Sequence, residues 1–201
     1  MLYRATRLPT ATISKEAEPS GKESGESVHV LGPNDAPVTL EEFGDFQCPP
    51  CGALSDPINR LQQDYGSHLR VIFHHFPLAT HQHAREAAYA AEAAHMQSRF
   101  WQMHDLLYRE QSVWSKAADV RSLFNAYAGI LGLNGERFKK DMDSEKARAR
   151  VDSDQKHGAS IGVQNTPTIF LNNKALAPTA LSPSDVRAAV DAAVKSAKPS
   201  S

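Results

Sequence analysis

Cys48 and Cys51 are the only cysteines in a chain of 201 residues, and two prolines separate them in FGDFQCPPCG, residues 43–52. Two thiols at this spacing can do one of three things. As a redox pair, Cys48 attacks a disulfide and Cys51 resolves the mixed disulfide that results. As half of a structural zinc site, they need two further ligands, usually a second CxxC or two histidines three to five residues apart. The chain has no other cysteine, and His81 and His83 are only two apart. As an inert pair they are small buried hydrophobes, but Pro49-Pro50 at a helix entrance makes a poor core segment. The spacing favours redox chemistry and leaves the other two open.

The flanking elements sharpen the choice. PVTLEEF (37–43) alternates Val38, Leu40 and Glu42 as a strand does, and ALSDPINRLQQDYG repeats Leu54, Ile58 and Leu61 at helical spacing before Gly66 stops it. The cysteines therefore sit where a strand ends and a helix begins. Thiolates, not thiols, attack disulfides, and the unpaired N–H groups of a helix start favour negative charge.

A second stretch, GVQNTPTIFLNN (162–173), carries Gly162, Thr166-Pro167 and an apolar strand from Thr168 to Leu171. Together with FGDFQCPPCG it resembles the DsbA-like branch of the thioredoxin superfamily, bacterial thiol–disulfide oxidoreductases, from about Pro37 to about Ala197. The resemblance implies an α/β thioredoxin fold with a helical insertion. It implies a CxxC that opens the first long helix and a cis Pro167 facing it, with Thr166 pairing to the backbone of an extended substrate. Phe46, Pro49 and Pro50 would line the same groove. Glu42, six residues before Cys48, falls where these enzymes often carry a buried acid that relays protons to the resolving thiol. A partly exposed strand-edge carboxylate is the plainer alternative. The implied partners are protein thiols or disulfides and an upstream redox partner, with no organic cofactor and no metal. Nothing resembles the separate dimerisation domain of the family's isomerases, so a monomer is expected. A reductase or isomerase of the same fold, or a non-catalytic thioredoxin-like binding module, are the alternatives.

Composition agrees with a globular domain: 41% hydrophobic and 22% charged residues, with net charge −1. There is no basic surplus to suggest nucleic acid, and no run approaches the roughly 18 apolar residues of a membrane span. Residues 1–26 are polar, without apolar periodicity, and read as a disordered leader or linker. They lack the apolar core of about 7 to 15 residues that a signal peptide carries. The family commonly works outside the cytoplasm, so an extracytoplasmic, periplasmic place is implied, while a cytoplasmic one stays open.

The expected divisions are a strand–helix–strand part (27–79), a helical insertion (80–159), a closing part (160–197) and a tail (198–201). A first strand ends at Gly32, and HLRVIFHHFPL (68–78) forms a strand parallel to the one entering Cys48. In the helical stretch, Ala84, Ala87, Ala88, Ala91 and Ala94 make a small-residue face. Ser115 is read as the cap of the helix bearing Val120, Leu123, Phe124 and Tyr127, and Asn134 as the cap of one bearing Phe138 and Met142. Asn172-Asn173 makes a turn before a short strand near Ala175-Leu176, and Ser182-Pro183 opens a last helix. Trp101 and Trp114 are packing anchors. His74, His75, His81 and His83 look like a metal cluster on paper, yet His74 and His75 point to opposite faces of a strand and cannot share one ion.

Pro49 and Pro50 have no N–H, so Cys51 supplies the nearest forward donor to a Cys48 thiolate. Pro50 also disfavours helical geometry at Pro49, which would loosen the first turn. A Cys48 pKa of about 5 follows, lowered but short of the extreme of about 3.5, and with it a moderate oxidant. Cys48 is expected to be the more exposed thiol.

Overall fold

The computed structural model describes residues 29–197; the leader expected at 1–26 and the tail at 198–201 lie outside them. A five-stranded mixed sheet has the order β1-β3-β2-β4-β5. The strands are β1 (His29–Leu31), β2 (Val38–Gly44), β3 (Leu69–His75), β4 (Thr168–Leu171) and β5 (Lys174–Ala175). β2 runs parallel to β3 and antiparallel to β4, so it is central and has a hydrogen-bonded neighbour on each side. The parallel pair is the expected product of a strand–helix–strand unit, and α1 (Pro49–Tyr65) is its crossover.

Period-2 alternation divides β2 between two layers. Val38 and Leu40 join Leu54, Ile58 and Leu61 of α1 and Val186, Val190 and Val194 of α8 (Pro183–Ala197) in one apolar cluster. On the other face Phe43 packs with Phe76 and Val163, next to Phe170 of β4. α7 (Glu145–Ser160) covers this second face through Gly158, where a Cβ would come within 2.9 Å of both Phe43 and Phe76. The weak apolar stripe of α7 is thus a consequence of close approach: its contact residue has no side chain.

Between β3 and α7 lie α2 (Ala84–His95), α3 (Phe100–Arg109), α4 (Gln111–Trp114), α5 (Val120–Ile130) and α6 (Gly135–Met142). The alanine face of α2 is buried throughout, as its small residues require. The helices share an apolar cluster that includes Trp114, Phe124, Phe138 and also both cysteines. The cysteine pair therefore lies on the seam between the insertion and the sheet framework.

Three local expectations need correction. Ser115 does not cap α5; it closes α4, and Asp119 is the cap, accepting from the Ser122 N–H. The first turn of α1 is not loosened by its prolines. Pro49 and Pro50 occupy its first two positions, and Gly52 N–H reaches Cys48 O at 3.2 Å. N–H groups there have no partner in any helix, so prolines remove no bond. β5 begins one residue earlier than read, because Asn172 and Asn173, at φ 48° and 64°, complete the reversal in two residues.

Candidate active site

Cys48 is the N-cap of α1, with φ −76° and ψ 117°, and Cys51 lies in the first turn. The strand delivers the chain to this point through Asp45. One of its carboxylate oxygens accepts from Gln47 N at 2.7 Å, and the other from Leu78 N at 2.8 Å and His81 Nδ1 at 2.7 Å. Its carbonyl accepts from Cys48 N at 3.0 Å. From the insertion, Gln111 Nε2 donates to the carbonyls of Phe46 at 2.7 Å and Cys48 at 2.9 Å. Asp45 inside the turn and Gln111 from the insertion thus hold the turn that presents the thiols.

Both thiols are free, and Cys48 is 4% exposed against 0% for Cys51. The order is the expected one, though Cys48 is itself well covered. Part of the cover is the Thr166–Pro167 segment: that bond is cis, and the Cys48 Sγ donates to the Thr166 carbonyl at 3.3 Å. The Thr166 hydroxyl is buried and has no partner among the described residues.

The two cysteines diverge electrostatically. The Cys48 pKa is lowered to about 6, first by hydrogen bonding from the Cys51 thiol, with help from Thr166 and the Cys51 backbone N–H against burial and the charge of Asp45. The Cys51 pKa is pushed up, chiefly by burial and then by its hydrogen bond to Cys48 and the charge of Glu42. Glu42 is buried on the central strand, and burial, followed by the Cys48 charge, raises its pKa to about 8. Its Oε1 has no partner among the described residues. The strand-edge reading of Glu42 is therefore corrected: β2 has a neighbour on both sides and α1 above it. Tyr108, also buried, has its phenol pKa raised by burial and then by the same acidic groups.

The structure brings together Cys48, Cys51, Thr166, Pro167 and Glu42, and it removes Phe46 from the expected groove. Phe46 is 1% exposed and packs on Phe73 and Tyr108 at ring distances of 5.3 and 4.9 Å, while Pro49 and Pro50 are exposed. An aromatic ring at the end of a central strand gains more from the core than from solvent. Asp45, Gln111 and Tyr108 escaped the sequence reading, and His81 entered it only as a discounted metal ligand, not as the partner of Asp45. Only Asp45 had a local signal, an Asx turn onto the residue two ahead. The histidines do not form one cluster: His74 and His75 take opposite faces of β3, His81 goes to Asp45, and His83 N binds Gln47 Oε1 at 2.7 Å.

Residues 24–192 match the family model described as thioredoxin. The chain belongs to the thioredoxin family. Its DsbA-like character is carried by solved structures. BdbD from Bacillus subtilis superposes with a TM-score of 0.72 at 26% identity, covering 83% of this chain and 92% of that one. The alpha-DsbA1 of Wolbachia pipientis gives 0.69 at 18% identity, covering 84% and 91%, a likeness of fold. Among curated sequences the chain is 39% identical over 147 residues to the Na(+)/H(+) antiporter NhaA 3 of Salinispora tropica, which is 73% of this chain. It spans about a fifth of such relatives, 22% for this one. No helix among the described residues is long and apolar enough to cross a membrane.

Proposed function

We propose that the chain is a thiol–disulfide oxidoreductase that exchanges disulfides with protein substrates through Cys48 and Cys51, working as a moderate oxidant. The observation that carries the reading is the contrast between the two thiols across one helical turn, one with a lowered pKa beside Thr166 and the other held protonated above Glu42.

In the oxidising direction a substrate thiolate attacks the Cys48 sulfur of the disulfide form. The Cys48–Cys51 bond breaks and Cys51 leaves with the electron pair. Glu42, which still carries its proton at neutral pH, can return one to Cys51. A second substrate thiolate then attacks the substrate sulfur of the mixed disulfide and expels Cys48. The substrate gains a disulfide and the enzyme is left reduced, to be reoxidised by an upstream redox partner. The low pKa of Cys48 makes it the better leaving group. The carbonyl of Thr166 cannot donate to a thiolate, so its unpaired hydroxyl would join the Cys51 thiol and N–H as a donor to that anion, and its backbone would pair with an extended substrate beside Pro49 and Pro50.

A pKa near 6 against an ordinary value of 9.0 favours the reduced form about tenfold at pH 7, or about 30 mV towards the oxidising side. That supports a moderate rather than an extreme oxidant. The chain acts as a monomer outside the cytoplasm, by the habit of its branch. The antiporter names belong to proteins of which this chain matches a minor part, and ion transport is not proposed for it.

The test is oxidation of a peptide dithiol by the disulfide form. Parent protein is expected to transfer its disulfide stoichiometrically, Cys48→Ser to transfer none, and Cys51→Ser to accumulate a mixed disulfide with an oxidised substrate. No transfer from the parent, or full transfer from Cys48→Ser, defeats the proposal.

A further inference from the structure

Among the described residues, two groups of side chains with the make-up of metal ligands lie outside the cysteine site, one on each face of the sheet. His29, His75 and Glu92 form the first. All three are buried, and both imidazole Nε2 atoms converge on Glu92 Oε1, at 2.5 and 2.8 Å. His29 Nδ1 has no partner among the described residues. A ligating histidine normally passes its other ring N–H to an acceptor, and this cluster has no exposed member through which an ion would enter. It reads as a closed hydrogen-bonded network that ties α2 to β1 and β3.

The second group has what the first lacks. Glu41 of β2, His74 of β3 and His157 of α7 bring one ligand atom each within 4.8 Å of one another. His74 Nε2 faces Glu41 Oε1 at 2.7 Å, and its ring centroid is 5.5 Å from that of His157. The other ring nitrogen, Nδ1, lies 3.2 Å from Asp154 Oδ1. Asp154 is itself fixed, by Arg150 through an ion pair and by the His75 N–H at 3.1 Å. This is the carboxylate–histidine relay that orients an imidazole toward a metal and sets its tautomer. Asp154 and His157 are three apart on α7, so one helix face supplies both the orienting acid and a ligand. Phe43 stacks on the His74 ring at 4.6 Å and restrains it further. His157 is exposed, which leaves an entry path and an open coordination position.

We propose that Glu41, His74 and His157 form a site for a divalent transition-metal ion, with Asp154 as the positioning carboxylate. Two imidazoles and one carboxylate suit zinc and its neighbours rather than calcium or magnesium, which take oxygen shells. Tetrahedral zinc with bonds near 2.0–2.1 Å sets its ligand atoms about 3.3 Å apart. Glu41 and His74 need to separate by only about half an ångström to admit it, within the reach of a glutamate rotamer change. The ion would join β2, β3 and α7 on the face opposite Glu42, leaving the redox pair untouched.

The experiment uses the full chain with its cysteines oxidised, so that thiolates do not compete, stripped by chelator and titrated with Zn2+ at about pH 7.5, where neutral imidazoles bind. Calorimetry is expected to give one ion per chain, and the melting temperature is expected to rise with free Zn2+ by mass action. His157→Ala, a change at an exposed position, and Glu41→Gln should each weaken binding about tenfold or more, with the metal-free His157→Ala protein as stable as the parent. Co2+ in place of zinc should give visible d–d absorption in the parent and lose it in His157→Ala. No binding up to about 100 μM Zn2+, or binding unchanged in both variants, which would put the ion on His29, His75 and Glu92, overturns the assignment.

Discussion

Glu42 and Cys48 are two acids whose pKa values move in opposite directions, and their pH signatures separate them. The folded pKa of Cys48, about 6, lies below its ordinary 9.0. Its contribution to the stability of the reduced protein is complete above the unfolded value and is lost as pH falls through 6. Thiolate absorbance of the reduced protein is therefore expected to titrate with a midpoint near 6, and a midpoint above about 8 would leave Cys48 an ordinary thiol. Glu42 behaves inversely: its folded pKa, about 8, lies above 4.5. The native state keeps that proton more tightly, an advantage complete below the unfolded value and lost as pH rises through 8. Glu42→Gln, which never has to ionise, should match the parent near pH 4 and exceed it by on the order of 3 kcal/mol at neutral pH. Denaturant unfolding at several pH values measures the gap, and a gap that does not change with pH would put the carboxylate in water.

At the scale of elements, the site depends on contacts that cross between the sheet framework and the inserted helices. Gln111 donates twice to carbonyls of the cysteine turn, and a net worth of about 0.5–1.5 kcal/mol per bond makes Gln111→Ala destabilising by about 1–3 kcal/mol. The same variant should label faster at Cys48 with a limiting alkylating reagent, because the turn has lost its clamp; an unchanged rate would make Gln111 a bystander. Gly158 is a second such contact. Alanine is the better helix former by about 1 kcal/mol, yet its methyl would sit 2.9 Å from the rings of Phe43 and Phe76. Overpacking costs about 1–3 kcal/mol, so Gly158→Ala is expected to be neutral to destabilising in thermal unfolding. A clear gain in stability would show that α7 stands off the sheet.

For the whole molecule, one apolar cluster holds Cys48, Cys51 and the insertion's Trp114 and Phe124 together. Trp114 is fully buried, its ring 5.5 Å from Phe124 and its indole N–H donating to the Leu107 carbonyl at 2.6 Å. Trp114→Ala should cost about 3–5 kcal/mol. Because the cysteines share that core, protection of the thiols and the native tryptophan signal should be lost in one transition. Two separated transitions would mean that the insertion unfolds by itself and that the seam is not a shared core.

Much of this architecture is legible in residue order. Alternation in PVTLEEF, helical spacing after Cys51, the Asn172-Asn173 reversal and Ser182-Pro183 each constrain the backbone within a few residues, and a local rule is sufficient to read them. Cys48, Cys51 and Thr166-Pro167 were likewise recognisable from their types and spacing. What tertiary structure alone decided are relations between elements. Glu42 became a buried acid because β2 gained β3 and β4 as neighbours, and alternation by itself cannot tell a central strand from an edge. Phe46, just past the end of β2, turned inward because His104 and Tyr108 of the inserted helix α3 pack over it. Gln111 lies 63 residues from Cys48, and Asp154 lies 80 from His74. Neither position carries a local pattern, since a glutamine or an aspartate on a helix reads as solvated until packing brings it to a carbonyl or an imidazole. Side-chain period is set by neighbouring residues, whereas hydrogen-bond partners are set by which surfaces the chain buries against each other.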